Sequence, residues 1–140
     1  MRVMVMVRAT KESEAGGLPD ARLMEDMDAF NQQLAKAGVL LSGEGLQASS
    51  KGARIRFSGK TRAVIDGPFA ETKELIAGFW LWQVKSMDEA IEWAKRSPNP
   101  FHEDSEMEIR QVFEVDDFGD VMTPEMRERE ERMRAQVAKK

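Results

Sequence analysis

The chain is 140 residues long, 41% hydrophobic and 33% charged, with a formal net charge of −4 at pH 7. That suits one packed domain with a well-solvated surface, and the mixed, slightly acidic charge argues against a general nucleic-acid binder, which needs a basic footprint for phosphates. The absence of cysteine excludes disulfides, thiol catalysis and thiolate metal sites.

Met1 to Ala9 reads as a strand, with Val3, Val5 and Val7 on one face and Met4 and Met6 on the other. Both faces are apolar, so both call for cover. Met1 to Arg8 is too short for the apolar core of a secretory leader, and no small-residue cleavage site follows it. No apolar run approaches membrane-spanning length, so a cytoplasmic location with no membrane partner is the expectation.

Lys11 to Pro19 reads as a loop because it holds Gly16, Gly17 and Pro19. A helix follows from about Asp20 to Ala37, where Leu23, Met27, Phe30, Leu34 and Ala37 draw one apolar stripe. Gly38 is placed to end it in a left-handed conformation. Val39 to Leu41 leads into Ser42-Gly43-Glu44-Gly45-Leu46-Gln47, a glycine-bearing strand or bulge. Short strands are predicted over Ala53 to Phe57 and Thr61 to Ile65, with turns at Lys51-Gly52 and Ser58-Gly59. The second of them runs into Asp66-Gly67-Pro68-Phe69.

Leu75 to Val84 is the most apolar strand and is again two-sided, with Ile76, Gly78, Trp80, Trp82 and Val84 opposed to Leu75, Ala77, Phe79 and Leu81. Ser86 caps a second helix, with Glu89 three residues on as a capping box, and Ser97-Pro98-Asn99-Pro100 stops it. A last strand is predicted over Met107 to Val115. A third helix starts from Thr123 with Pro124 at its first position, dense in charge, its pairs Glu128–Arg132 and Glu130–Arg134 at favourable four-residue spacing. The order is close to a split βαβ, ferredoxin-like α+β plan. Two helices on one side leave the other sheet face bare, with Trp, Val and Met exposed on it. The simplest remedy is a homodimer that packs two such faces together.

Asp66-Gly67-Pro68-Phe69 reads in two ways. It is a turn in which Gly supplies an unusual φ, Pro fixes φ and Asp accepts a backbone N–H. Alternatively, Asp66 points a carboxylate from the end of a buried strand into an apolar pocket, where burial raises its pKa and suits it to proton transfer. Glu71 and Lys73 are then a solvated loop or groups that reach over the pocket mouth. Arg110, mid-strand beside Glu108 and Val112, pairs with Asp66 or Glu44, or else holds an anionic ligand with two hydrogen bonds.

His102 is the only histidine. Without a spaced partner it defines no zinc or iron site, and a surface position in a polar loop is the expectation. Gly43-Glu44-Gly45 lacks the Lys-Ser/Thr of a phosphate loop. Asp116-Asp117-Phe118-Gly119-Asp120 is an acidic turn. Neither a metal nor a cofactor is expected.

Gly43-Glu44-Gly45-Leu46-Gln47, Asp66-Gly67-Pro68-Phe69-Ala70-Glu71-Thr72-Lys73-Glu74, Gly78-Phe79 and Glu108-Ile109-Arg110 together resemble the DGPF branch of the YCII-related (YciI-like) family. The resemblance implies a ferredoxin-like fold and a dimeric α+β barrel over residues 1–118, with residues 119–140 as a charged helical extension. It implies a small-molecule pocket near the DGPF turn, for which Phe30, Glu44, Leu46, Phe69, Lys73, Trp80 and Arg110 are the candidate ligand-binding residues. By the same resemblance the chain is a binding protein without chemistry, a lyase- or dehydrochlorinase-like enzyme with Asp66 as its acid or base, or an accessory to an extracytoplasmic-function sigma factor. Enzymatic relatives pair the aspartate with a histidine near the first helix; here no histidine precedes His102.

Overall fold

The computed structural model describes residues 1–139. β1 (Arg2–Arg8) is the alternating strand its sequence predicts, and Val3, Val5 and Val7 are its buried positions. Thr10 then caps a one-turn helix, α1 (Lys11–Glu14), in which Thr10 Oγ1 accepts from Ser13 N and Ser13 Oγ accepts from Thr10 N. The stretch predicted as loop from its glycines therefore begins with a short helix, because the Thr-Ser capping box precedes Gly16 and Gly17. α2 (Ala21–Lys36) starts on the side chain of Asp20, and Gly38 follows it with φ +75°.

β2 (Leu40–Gly45) is irregular between Leu40 and Ser42. β3 (Ala53–Ser58) and β4 (Thr61–Asp66) pair only with each other. β5 (Ile76–Gln83) and α3 (Met87–Lys95) follow, α3 capped by Ser86 Oγ accepting from Glu89 N. The Glu89 carboxylate reaches one residue past the cap, accepting from Lys85 N at 2.9 Å. β6 (Met107–Gln111) is shorter than the predicted Met107 to Val115. Its continuation turns away into a 3₁₀ segment, Val115–Val121, where Glu114 N donates to Asp117 and Phe113 stacks on Phe118 at 5.0 Å. α4 (Pro124–Ala138) closes the described chain. Its cap at Thr123 and its pairs Glu128–Arg132 and Glu130–Arg134 are formed as predicted.

The main sheet has the order β2-β5-β1-β6 and is antiparallel throughout. With β3 and β4 set aside as an inserted hairpin, this is the ferredoxin-like arrangement of two βαβ halves. The register aligns Val3 with Trp82, Val5 with Trp80 and Val7 with Gly78. α2 covers this row with Phe30 and Leu34, and α3 with Ala90. Phe30 stands edge-on to both indoles, at 5.8 Å from Trp80 and 6.4 Å from Trp82. Trp82 is fully buried and its Nε1 has no partner among the described residues, a cost of about 1–3 kcal/mol set against the large area the ring buries.

The opposite face aligns Met4 with Leu81 and Met6 with Phe79, all half-buried and covered by neither α2 nor α3. The face that α2 and α3 leave open is thus the methionine face. The valines and tryptophans expected on it lie under the helices, because the odd-numbered positions of β1 and the even-numbered positions of β5 share one side of the pleat.

Candidate functional site

α2 crosses the sheet above β5 but does not seal the corner where β2 ends. The loop from Ala15 to Pro19, the first turns of α2 and the end of β2 enclose a cleft of about 800 Å³ there. Glycine shapes its floor. A Cβ on Gly43 would meet Cδ1 of Trp80 at 2.6 Å, so only glycine lets the indole lie across β2. Trp80 Nε1 donates to Asn31 Oδ1 at 2.8 Å, which fixes the ring's orientation. Leu18, Leu23, Met24, Met27, Leu46 and Phe101 supply apolar wall.

The far wall is the 3₁₀ turn Ser49–Lys51, whose neighbour Ala48 and members Ser50 and Lys51 line the cleft. This turn is pinned from both sides. Ser49 N donates to Glu14 Oε2 at 2.8 Å, and Ser49 Oγ donates to the other carboxylate oxygen. The same hydroxyl accepts from Phe69 N at 3.0 Å. One hydroxyl thus uses its proton on Glu14 and a lone pair on the DGPF turn.

The DGPF residues are set by this docking. Gly67 N donates to Gly52 O at 3.0 Å, and a Cβ on Gly67 would lie 1.7 Å from Ser49 O. The Gly67–Pro68 peptide is cis, and Gly67 is not among the glycines with positive φ. Glycine is required here by close approach, not by the unusual φ predicted for it. The Phe69 ring lies under the Arg54 guanidinium, 3.8 Å from its centroid, and Arg54 also faces Glu71 at 3.7 Å.

Of the residues singled out in the sequence, Glu44, Leu46 and Trp80 line the cleft. Phe30 stands behind Trp80 as core. Phe69 is one turn removed, acting through Ser49. Lys73 is exposed in the 3₁₀ segment Thr72–Glu74. Asp66 is exposed at the end of β4, paired in register with Ala53, so its carboxylate does not point into a buried apolar pocket. The cause is topological: the strand expected to be buried belongs to the separate hairpin. Arg110 is exposed on the methionine face opposite Met4 and forms an ion pair with neither Asp66 nor Glu44. The carboxylate of that strand, Glu108, goes to Arg8 at 2.9 Å.

His102 lies in its loop as expected, with Nε2 3.4 Å from Asp20. No group of three or more His, Asp or Glu side chains suited to a metal occurs among the described residues. No helix among them is long and apolar enough to cross a membrane.

The structure adds Asn31, Glu14 and Ser49 to the site. Asn31 was legible as a polar residue four positions after Met27, on the edge of an apolar stripe. Glu14 and Ser49 gave no local signal, because their bond spans 35 residues.

Away from the cleft, one ion pair is a two-bond fork. Arg2 Nε and Nη2 donate to the two oxygens of Glu114 at 2.8 and 3.1 Å. The Arg2 hydrogen bonds hold the Glu114 carboxyl below the usual carboxylate range, and Arg2 is raised in turn.

Residues 1–116 match the YCII-related domain family. The chain is also similar to "Uncharacterized protein R00369" of Rhizobium meliloti (strain 1021), 36% identical over 91 residues that cover 65% of this chain and 73% of the relative.

Proposed function

The chain belongs to the YCII-related family, and on that premise we propose that it is a homodimer that binds a small, largely apolar molecule in the cleft between α2 and β2. The observation that carries this reading is the cleft itself, whose volume of about 800 Å³ falls in the range of small-molecule sites. Its two best-placed polar groups are already committed, Trp80 Nε1 to Asn31 and the Glu14 carboxylate to Ser49. An aromatic or aliphatic body therefore suits the wall better than a strongly charged one. The reading is of binding and not of proton transfer, because Asp66 is exposed and away from the lining. The homodimer is supported by the half-buried row of Met4, Met6, Phe79 and Leu81, on which neither α2 nor α3 packs.

The test is a thermal-shift screen with aromatic and aliphatic metabolites on wild type, Met24→Arg and Leu46→Arg. Both residues are exposed at the cleft, so a long cation there fills it without disturbing the core. A ligand at a hundred times its Kd stabilises by about 2.7 kcal/mol, or roughly 8 °C in Tm for a chain of this size. Shifts in wild type that vanish in both variants are expected. Equal shifts in all three proteins place binding elsewhere and sink the proposal.

A further inference from the structure

The face that α2 turns to the cleft is apolar until its last contact. Leu23, Met24 and Met27 line the cleft, and Asn31 follows one helical turn after Met27. Asn31 is the one polar side chain that α2 brings to the lining. Its amide is oriented by Trp80. An indole Nε1 can only donate, so the Asn31 atom 2.8 Å from it is the acceptor oxygen, and the NH2 group occupies the other branch of the amide. The indole is itself held in place, buried against Phe30 at 5.8 Å and seated over Gly43.

Asn31 Nδ2 donates to no group among the described residues. Nor is it shut away in the core, where Trp82 Nε1 is the buried side-chain polar atom left without a partner. Two N–H donors thus stand free at an apolar wall, aimed by the bond on the oxygen beside them. Such a donor recognises an acceptor, and the charges of the lining decide which kind. Glu14 and Glu44 stand there against Lys51. A carboxylate would meet an excess of like charge and give up its hydration for a neutral amide. A carbonyl oxygen is neutral, and one N–H offsets the water it loses. A hydrocarbon of the same shape would cover the NH2 group and leave it unsatisfied.

We propose, resting on the reading that the cleft binds a small and largely apolar molecule, that Asn31 determines its specificity by donating from Nδ2 to a neutral carbonyl oxygen. The ligand is then a ketone, ester or amide on an apolar body, preferred over both the bare hydrocarbon and the carboxylic acid. Trp80 is the positioning residue, since its N–H decides which end of the Asn31 amide meets the ligand.

The experiment is an NMR titration of isotope-labelled wild type, Asn31→Asp and Leu46→Arg with benzophenone, diphenylmethane and diphenylacetate, three probes that share one pair of rings. Asn31→Asp keeps an oxygen for Trp80 Nε1 and removes both N–H donors, so a merely structural role of the amide survives in it. In wild type the ketone should bind about tenfold more tightly than the hydrocarbon, the worth of about one net hydrogen bond, with the carboxylate weakest. The Asn31 NH2 resonances should move with benzophenone and not with diphenylmethane. In Asn31→Asp the ketone's advantage should vanish while the hydrocarbon still binds. If that variant does not fold, the wild-type resonances and affinities decide alone. Equal binding of ketone and hydrocarbon to wild type, a ketone preference that persists in Asn31→Asp, or tightest binding of the carboxylate overturns the assignment of Asn31 and leaves the cleft reading standing. Binding that is unchanged in Leu46→Arg, or no binding of any probe, removes the cleft reading and the assignment together.

Discussion

Replacing Gly67 by alanine isolates the contact on which the DGPF turn depends. The new Cβ would stand 1.7 Å from Ser49 O, 2.6 Å from Ser49 C and 3.3 Å from Gly52 O. All three are backbone atoms, so no side-chain rotation relieves the overlap. The turn has to retreat by well over an ångström, which breaks Gly67 N to Gly52 O and Phe69 N to Ser49 Oγ, both 3.0 Å in the native chain. Two hydrogen bonds at about 1 kcal/mol each, with some lost packing, give about 2–3 kcal/mol. The penalty is limited to the free energy of lifting the hairpin from the Ser49 turn, because beyond that the hairpin detaches and the sheet remains. The change should therefore appear locally before it appears globally.

Amide hydrogen exchange at Phe69 is the assay, alongside urea unfolding. Protection of that amide should fall by about 30- to 140-fold, while the amides of β1 and β5 change much less. Gly45→Ala is the control, since nothing lies within 4 Å of its Cβ and its φ is not positive; it should stay within about 0.5 kcal/mol. A Gly67→Ala protein whose Phe69 amide exchanges as slowly as in wild type would refute the claim that backbone approach selects glycine here.

Two further outcomes follow from the hydrogen bonds. Glu114 has its folded-state pKa depressed by Arg2, so the pair's contribution is whole above the ordinary carboxylate pKa of about 4.3 and is lost as pH falls through the lower folded value. Both partners are partly exposed, which keeps the contribution below about 1 kcal/mol; Glu114→Gln should flatten the acid limb of the stability–pH curve, and an unaltered limb would refute the pairing. Asn31→Leu strips the acceptor from Trp80 Nε1 and should cost about 1–2 kcal/mol with a shift in indole emission, whereas unchanged emission would show that the 2.8 Å bond does not set the ring's environment.

How much of this was legible in the sequence depends on the range of each contact. The two-sided β1 and β5, the stripe of α2 and the helix starts at Ser86 and Thr123 are patterns within a few residues, and each is formed. Which face of the sheet stays open depends on pairing β1 with β5 in a particular register, and alternation alone leaves two answers. β3 and β4 have strand-like sequences, but nothing in them says that they pair with each other and leave the main sheet. That one fact moved Asp66 from an expected pocket to the surface.

The DGPF turn carries the same lesson further. Its four residues suggested a bend with a carboxylate of interest, and the expected chemistry centred on Asp66. The contacts place the weight on Gly67 and Phe69, which dock on a serine 18 and 20 residues earlier in the chain. That serine is itself held by Glu14, from a helix the sequence showed only as a glycine-rich loop. The turn therefore reaches the cleft through a chain of hydrogen bonds, Phe69 to Ser49 to Glu14, and not through a side chain of its own. A motif can be specific because one segment must fit closely against another, and here it is the approach of Gly67 to the Ser49 carbonyl that demands the residue.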